Sequence, residues 1–199
     1  MIAPMSNKKS VKFVAHTFIK NADKIVNLCA QTIGSRDEIQ DWFYEHAVIR
    51  LYREFETLML DTLAGAMNND SSTISGTVGI KFPKHLNEEV CKYLIVGEGY
   101  FDFKGRDGLI KTVKQFVPDT HYLLKTLKKE DYRDSLERLS ALRNYAAHDS
   151  DKAKAAAKRA IGGARVGPIG NWLKKQGRLG VLVDSLKEIA KEIEHAAPR

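Results

Sequence analysis

Apolar residues recur every three to four positions along most of this chain, the spacing that marks one face of an α-helix. The spacing predicts a helix from about Val11 to Ile33, ended by Gly34, and a second, longer helix that reaches about Met67. The sequence Ser35-Arg36-Asp37-Glu38 matches an S-x-x-E capping box at the start of the second helix. The predicted core positions of the two helices are Val14, Phe18, Ala22, Ile25, Cys29, Tyr44, Val48, Leu51, Phe55, Leu58, Met59 and Thr62.

The helical pattern stops between residues 68 and 82, which are rich in Ser, Thr, Asn and Gly. This composition predicts a mobile loop, with a short hairpin between Thr77 and Phe82. Helical patterns then return at about 86–96, 107–116, 119–127, 131–148 and 152–161, and in a last helix that ends near residue 197. Together these elements predict an all-α fold, a compact bundle of several helices that forms a single domain over residues 1–199.

Composition narrows the class of protein. The 199 residues are 43% hydrophobic and 29% charged, as expected for a globular protein that buries one substantial core. Cys29 and Cys91 lack metal-ligand spacing, so the sequence suggests no metal site and no cofactor. The N-terminus lacks the apolar run of a signal peptide, and no segment is apolar enough to span a bilayer. These features predict a cytoplasmic protein that does not act at a membrane.

The net charge of +7 is concentrated in one part of the chain. The segment between Ser150 and Gly180 contains eight basic residues and one acidic residue, Asp151. Clustered cations attract phosphates with little dependence on base sequence, so this segment is a candidate RNA-binding surface. A plain solvated surface remains the alternative interpretation. The candidate RNA-binding residues are Lys152, Lys154, Lys158, Arg159, Arg165, Lys174, Lys175 and Arg178.

The basic segment follows directly on a helix with one apolar face and an unusual end. Its predicted core positions are Tyr132, Leu136, Leu139, Leu142 and Ala146, and its opposite stripe is Glu137, Ala141, Asn144 and His148. Arg143 lies close to the apolar face, where a charge is costly without a partner or a purpose. Arginine can hold the charge that develops on a phosphate, and histidine can carry a proton near neutral pH. The helix end therefore carries residues that suit phosphodiester cleavage.

Four residues separate Arg143 from His148, and the polar Asn144 follows the arginine directly. This pattern resembles the R-x4–6-H motif of the HEPN superfamily. Small Ala146 and Ala147, the position at a helix end and the helical segment that follows all agree with the resemblance. It covers mainly residues 131–195, because the N-terminal half adds no specific signature.

The resemblance implies a HEPN-like helical bundle and metal-independent RNA cleavage, often in bacterial defence or toxin–antitoxin settings. It also implies a homodimer in which two motif helices meet, and it makes Arg143 and His148 the catalytic pair, supported by Asn144. The ribose 2′-oxygen would attack the adjacent phosphorus and leave a 2′,3′-cyclic phosphate. RNA, a second copy of the chain and an antitoxin or other protein are the expected partners.

Two other interpretations stay open from the sequence. The chain could be a non-catalytic HEPN module that binds RNA, a nucleotide or a protein partner. Alternatively, the motif could be accidental, since an arginine and a histidine at a helix C-terminus also interact favourably with the helix dipole. In that case the chain would be a helical interaction protein.

Overall fold

The computed structural model describes residues 10–148, 150–163 and 167–197, and within these ranges the chain forms helices and no strand. No helix in the same ranges is both long enough and apolar enough to cross a bilayer. The all-α prediction is confirmed. The α-helices are α1 (Val11–Gln31), α2 (Asp37–Asn69), α3 (Ser72–Val78), α4 (Glu88–Val96), α5 (Gly105–Val113), α6 (Tyr122–Leu127), α7 (Arg133–Ala147), α8 (Asp151–Ala160), α9 (Ile169–Lys174) and α10 (Arg178–Ala196).

The core is built around α2, which contacts α1, α4, α7, α9 and α10. Helix α1 packs between α2 and α10 and buries its predicted apolar stripe completely. The predicted core positions of α2 are buried as well, except Tyr44, which is half-buried. Helical periodicity therefore identified the core-facing side of both long helices, because a regular helix turns the same residues inward along its whole length.

The capping box predicted at Ser35 does not form. Helix α2 has Arg36 at its N-cap, and no side chain caps its first turn. The Ser35 hydroxyl instead donates a hydrogen bond to the backbone carbonyl of Thr32, at 2.7 Å. Ser35 belongs to the turn that closes α1, and its hydroxyl is used there. The motif predicted the helix start to within two residues but assigned the wrong cap.

The prediction of a loop and hairpin over residues 68–82 is wrong, because residues 72–78 form helix α3. Asp70 accepts a hydrogen bond from the backbone N–H of Ser72, and Ile74 anchors the helix in the core. The Ser71 hydroxyl donates to the carbonyl of Pro83 at 2.7 Å. The contact from Ser71 reaches a residue that follows the helix, so a local count of Ser, Thr and Gly could not reveal it.

The helix that carries the motif forms as predicted. A 3-10 turn from Glu130 to Tyr132 leads into α7, whose three leucines on the apolar stripe are fully buried, while Ala146 is half-buried. Helix α7 packs on α2, α5 and α8. Ser150 caps α8, since its hydroxyl accepts a hydrogen bond from the backbone N–H of Ala153 at 3.2 Å. Helix α8 therefore begins a few residues after the motif helix ends and packs back against it.

Candidate functional site

Arg143 projects from α7 onto an aromatic platform supplied by α2. Its guanidinium carbon lies 4.5 Å from the centre of the Tyr52 ring, a cation–π contact. Its Nη1 donates a hydrogen bond to the side-chain oxygen of Asn144, at 2.7 Å. In the described part of the chain Arg143 forms no ion pair with a carboxylate. A half-buried cation is therefore oriented by a ring and an amide, which leaves its charge unneutralised by direct contact.

Contacts with Asp102 and Phe103 hold the Tyr52 side chain in place. Its hydroxyl lies 2.6 Å from the Oδ1 of Asp102 and accepts a hydrogen bond from the backbone N–H of Phe103 at 3.1 Å. The ring stacks on Phe103 with 4.8 Å between ring centroids. Burial, and then the hydrogen bond to Asp102, raise the pKa of Tyr52. The phenol stays neutral at physiological pH, so the ring is a fixed, uncharged surface for Arg143.

Glu56 belongs to the same group of residues, although the sequence analysis did not single it out. It lies one helical turn after Tyr52, and its Oε1 is buried without a hydrogen-bond partner in the described residues. Burial raises the pKa of Glu56 to about 7, the charge of Arg143 opposes that rise, and the charge of Asp102 adds to it. The spacing from Tyr52 is visible in the sequence. Arg143, in contrast, faces this turn of α2 only because α2 and α7 pack together, and the sequence does not show that packing.

Asn144 and His148 complete the end of the motif helix. Asn144 is half-buried, and its backbone carbonyl accepts a hydrogen bond from the backbone N–H of His148 at 3.0 Å. His148 is the C-cap of α7, and its imidazole is exposed, without a hydrogen bond to the described residues. The structure thus brings Arg143 and Asn144 into direct contact and leaves His148 one turn further on, facing solvent.

Glu137 does not belong to a free polar stripe with Asn144 and His148. Its Oε1 accepts a hydrogen bond from the backbone N–H of Arg106 at 2.8 Å, while Ser140 accepts from Gly105. The carboxylate caps the start of α5 so closely that a side chain at Gly105 would collide with it. The predicted stripe opposite the apolar face is therefore not a free polar surface at Glu137, because the sequence does not reveal that α5 begins against this turn of α7.

The candidate RNA-binding residues fall into two groups. Lys152, Lys154, Lys158 and Arg159 are exposed on α8, and Lys175 is exposed after α9. No hydrogen bond or ion pair to other described residues engages these five side chains. On α8 the four cations lie on the solvent side together with the exposed Ala155, while Ala153, Ala156, Ala157 and Ala160 face the protein. Helix α8 therefore presents a cationic face, defined by Lys152, Lys154, Lys158 and Arg159.

The remaining candidates are used within the fold or lie outside the described part of the chain. Lys174 is only 14% exposed and pairs with Asp41 at 2.8 Å and with Asp37 at 3.3 Å. Arg178 lies 4.7 Å over the ring of Trp172. Arg165 lies outside the described residues. The positive charge predicted for the whole segment from 152 to 178 is thus available mainly on α8.

A cavity of about 520 Å³ lies elsewhere, bordered by parts of α1, α2 and α6. Its lining includes Gly65, Asn68 and His121, and it shares no residue with the end of α7 or with α8. Asp61, Asp70 and Glu88 also line it together with Lys12, and Lys92 pairs with Asp61 at 2.6 Å and with Glu88 at 2.7 Å. Among the described residues the acidic groups still outnumber the basic ones. An acidic lining disfavours a phosphate ligand, so this cavity does not compete with the end of α7 as an RNA site.

Within residues 10–148, 150–163 and 167–197, no three His, Cys, Asp or Glu side chains come together as a metal-binding group. Comparison of the chain with protein-family models, with curated proteins and with solved structures finds no significant match.

Proposed function

We propose that this protein is a metal-independent endoribonuclease that cleaves RNA at the end of α7. The observation that carries the proposal concerns Arg143, a half-buried cation that pairs with no carboxylate of the described residues and is oriented by Tyr52 and Asn144. Placing a charge near the core costs free energy, and an anionic ligand would offset that cost. The anion proposed here is an RNA phosphate.

The residues at this helix end can supply the chemistry. The ribose 2′-oxygen attacks phosphorus as its proton passes to a base, and the 5′-oxygen leaves with a proton from an acid. His148 carries out one of these two proton transfers, because RNA can reach its exposed imidazole. Arg143 stabilises the charge on the non-bridging oxygens with its planar fork of donors. The products are a 2′,3′-cyclic phosphate and a 5′-hydroxyl.

The cationic face of α8 supplies the surface along which the RNA backbone runs. It begins directly after the motif, and its four charges lie on the solvent side of one helix. Phosphates bound there would extend the contact well beyond the cleaved linkage.

A single chain has one His148, whereas cleavage needs both a base and an acid. A homodimer that joins two copies of the α7 end would bring two imidazoles to one composite site, as two-fold symmetry requires. The Glu137 carboxylate already accepts a hydrogen bond from α5. The proposed contact between the two copies is therefore limited to the C-terminal part of α7 and the start of α8. A bacterial defence or toxin–antitoxin role, with an antitoxin as a further protein partner, is part of the proposal through the HEPN resemblance.

The second candidate is a module that binds RNA without cutting it. The observation in its favour is that the cationic face of α8 can bind phosphates without help from His148.

The test is cleavage of mixed RNA in excess chelator by the wild type, by His148→Ala and by His195→Ala. His195 is a matched control, because it is also an exposed histidine close to the end of a helix. We expect the wild type and His195→Ala to produce 2′,3′-cyclic phosphate ends, and His148→Ala to bind RNA without cutting it. RNA with 2′-O-methyl groups should resist, because it lacks the attacking hydroxyl.

Cleavage that requires Mg²⁺, or that persists at full rate in His148→Ala, would contradict the proposed mechanism. Salt-sensitive RNA binding by a wild type that never cleaves would favour the binding module.

A further inference from the structure

Glu56 is a half-buried acid close to the Arg143 guanidinium, and the two side chains do not form an ion pair. Its Oε1 has no hydrogen-bond partner in the described residues, whereas most buried carboxylate oxygens have one. Tyr52, one turn earlier on α2, carries the ring under Arg143, so the carboxyl and the guanidinium share one small region. Within the described residues, the Arg143 guanidinium therefore lacks an ion-pair partner, and one oxygen of the neighbouring Glu56 carboxyl lacks a hydrogen-bond partner.

Four charged or titratable groups act on Glu56 from the surrounding elements. Arg143 reaches it from α7, Asp102 from the segment before α5, and Tyr52 and Arg53 from α2 itself. Burial outweighs the attraction of the cations and brings the pKa of Glu56 to about 7. At neutral pH the carboxyl therefore exists in both its neutral and its charged form.

We infer that Glu56 competes with anionic ligands for Arg143, so that a phosphate-like anion binds there tightly only when the Glu56 carboxyl is neutral. An anion held by Arg143 would lie close to Glu56, and two negative charges in a partly buried site repel each other. Binding of the anion and protonation of Glu56 must then favour each other, since linkage is reciprocal. The inference depends on the anion-binding role proposed for Arg143 but not on RNA cleavage.

The test uses sulfate, whose charge stays constant over the pH range in which Glu56 titrates. All measurements are made in a His148→Ala background, so that titration of the imidazole does not contribute. The affinity for sulfate is measured by isothermal titration at about pH 5.5 and about pH 8.5, on either side of the pKa. We expect sulfate to bind on the order of tenfold more weakly at the higher pH.

Adding Glu56→Gln to this background should remove the pH dependence and give tight binding at both pH values. Adding Glu98→Gln is the matched control, since it removes one carboxylate from an exposed residue that is not among the charged groups acting on Glu56. It should behave as the background does. Adding Arg143→Gln should abolish sulfate binding at both pH values.

Binding that is equally strong at both pH values in the background protein would overturn the inference, even if Glu56→Gln failed to fold. Weaker sulfate binding after Glu56→Gln would overturn it as well, because Glu56 would then be supporting Arg143 and not opposing the ligand. If sulfate binding follows the expected pattern but RNA is never cleaved, the inference stands and the nuclease proposal fails.

Discussion

Arg143 shows how a charge is tolerated next to the apolar face of a helix. The planar guanidinium lies over the Tyr52 ring and donates one hydrogen bond to Asn144, and these two contacts together fix its direction. A lysine has the same charge but neither the flat face nor the fork of donors. The position therefore requires the shape of arginine as well as its charge.

We accordingly predict that Arg143→Lys will lower RNA cleavage by a factor on the order of 10²–10³. The melting temperature should fall less than in Arg143→Ala, since the lysine keeps an aliphatic stem against Tyr52. Cleavage rates and thermal unfolding of the two variants provide the measurement. Full activity in Arg143→Lys would show that only the charge matters.

A second prediction concerns the dependence of stability on pH at Glu56. Its pKa is raised from 4.5 to about 7 in the folded chain, so the folded state binds more protons than the unfolded state between these values. The contribution of Glu56 to stability is therefore present at low pH and lost as pH rises through about 7. Glu56→Gln should remove this loss and be more stable than the wild type at alkaline pH, by about 1–3 kcal/mol.

Urea unfolding of the wild type and Glu56→Gln at several pH values gives the stability difference directly. The difference should grow from about pH 4.5 to about pH 8, because other titrating groups cancel between the two proteins. Glu98→Gln should show no such growth. A stability difference that does not change with pH would mean that Glu56 is not the titrating group.

On helix α8 four alanines face the protein, whereas the four cations face solvent. Removing two of those cations should not disturb the packing of the helix. We predict that Lys154→Gln with Lys158→Gln will weaken RNA binding and reduce the slope of log affinity against log salt by roughly 1–2. Lys20→Gln with Lys24→Gln is the matched control, since these lysines are exposed at the same spacing on α1.

Filter binding or fluorescence anisotropy over a range of salt concentrations measures both quantities. An equal effect of the α1 and α8 pairs would show that net charge, and not the cationic face of α8, attracts the RNA.

The contact between α7 and α5 gives a prediction about stability. Glu137 accepts the Arg106 N–H and so satisfies one of the backbone donors left open at the start of α5. Glu137→Ala should cost about 0.5–2 kcal/mol of stability, as the loss of a helix cap does. Chemical unfolding measures the loss. Sedimentation should show the same oligomeric state as the wild type, because this carboxylate faces α5.

For the assembly as a whole, we predict a homodimer in which the His148 residues of both copies serve one composite site, one imidazole as base and the other as acid. Co-refolding the wild type with an excess of His148→Ala should lower cleavage more than simple dilution does, because a mixed dimer holds a single His148 imidazole. Co-refolding with an excess of His195→Ala is the control and should not lower cleavage. Cleavage that falls only in proportion to the wild-type fraction, or a wild type that sediments only as a monomer, would contradict the composite site.

The sequence by itself determined the helical fold and the inward faces of its main helices. Val14, Phe18, Leu51 and Phe55 are buried as predicted, because helical periodicity is a local property that every turn repeats. The motif helix and its apolar stripe also follow from a short stretch of sequence. The concentration of basic residues after the motif is likewise visible without any structure.

Tertiary structure alone decided which polar residues meet. Packing of the helices brings together residues that are 31 or more positions apart in the sequence. These pairs are Glu56 with Arg143, Glu137 with Arg106, and Lys174 with Asp41. Helix α3 replaces a predicted loop for the same reason, since Ser71 bonds to a residue beyond the helix. Periodicity shows which side of a helix faces inward, but not which neighbouring element covers it. A charged residue close to that side can therefore be recognised from sequence, whereas its partner is known only once the helices have packed.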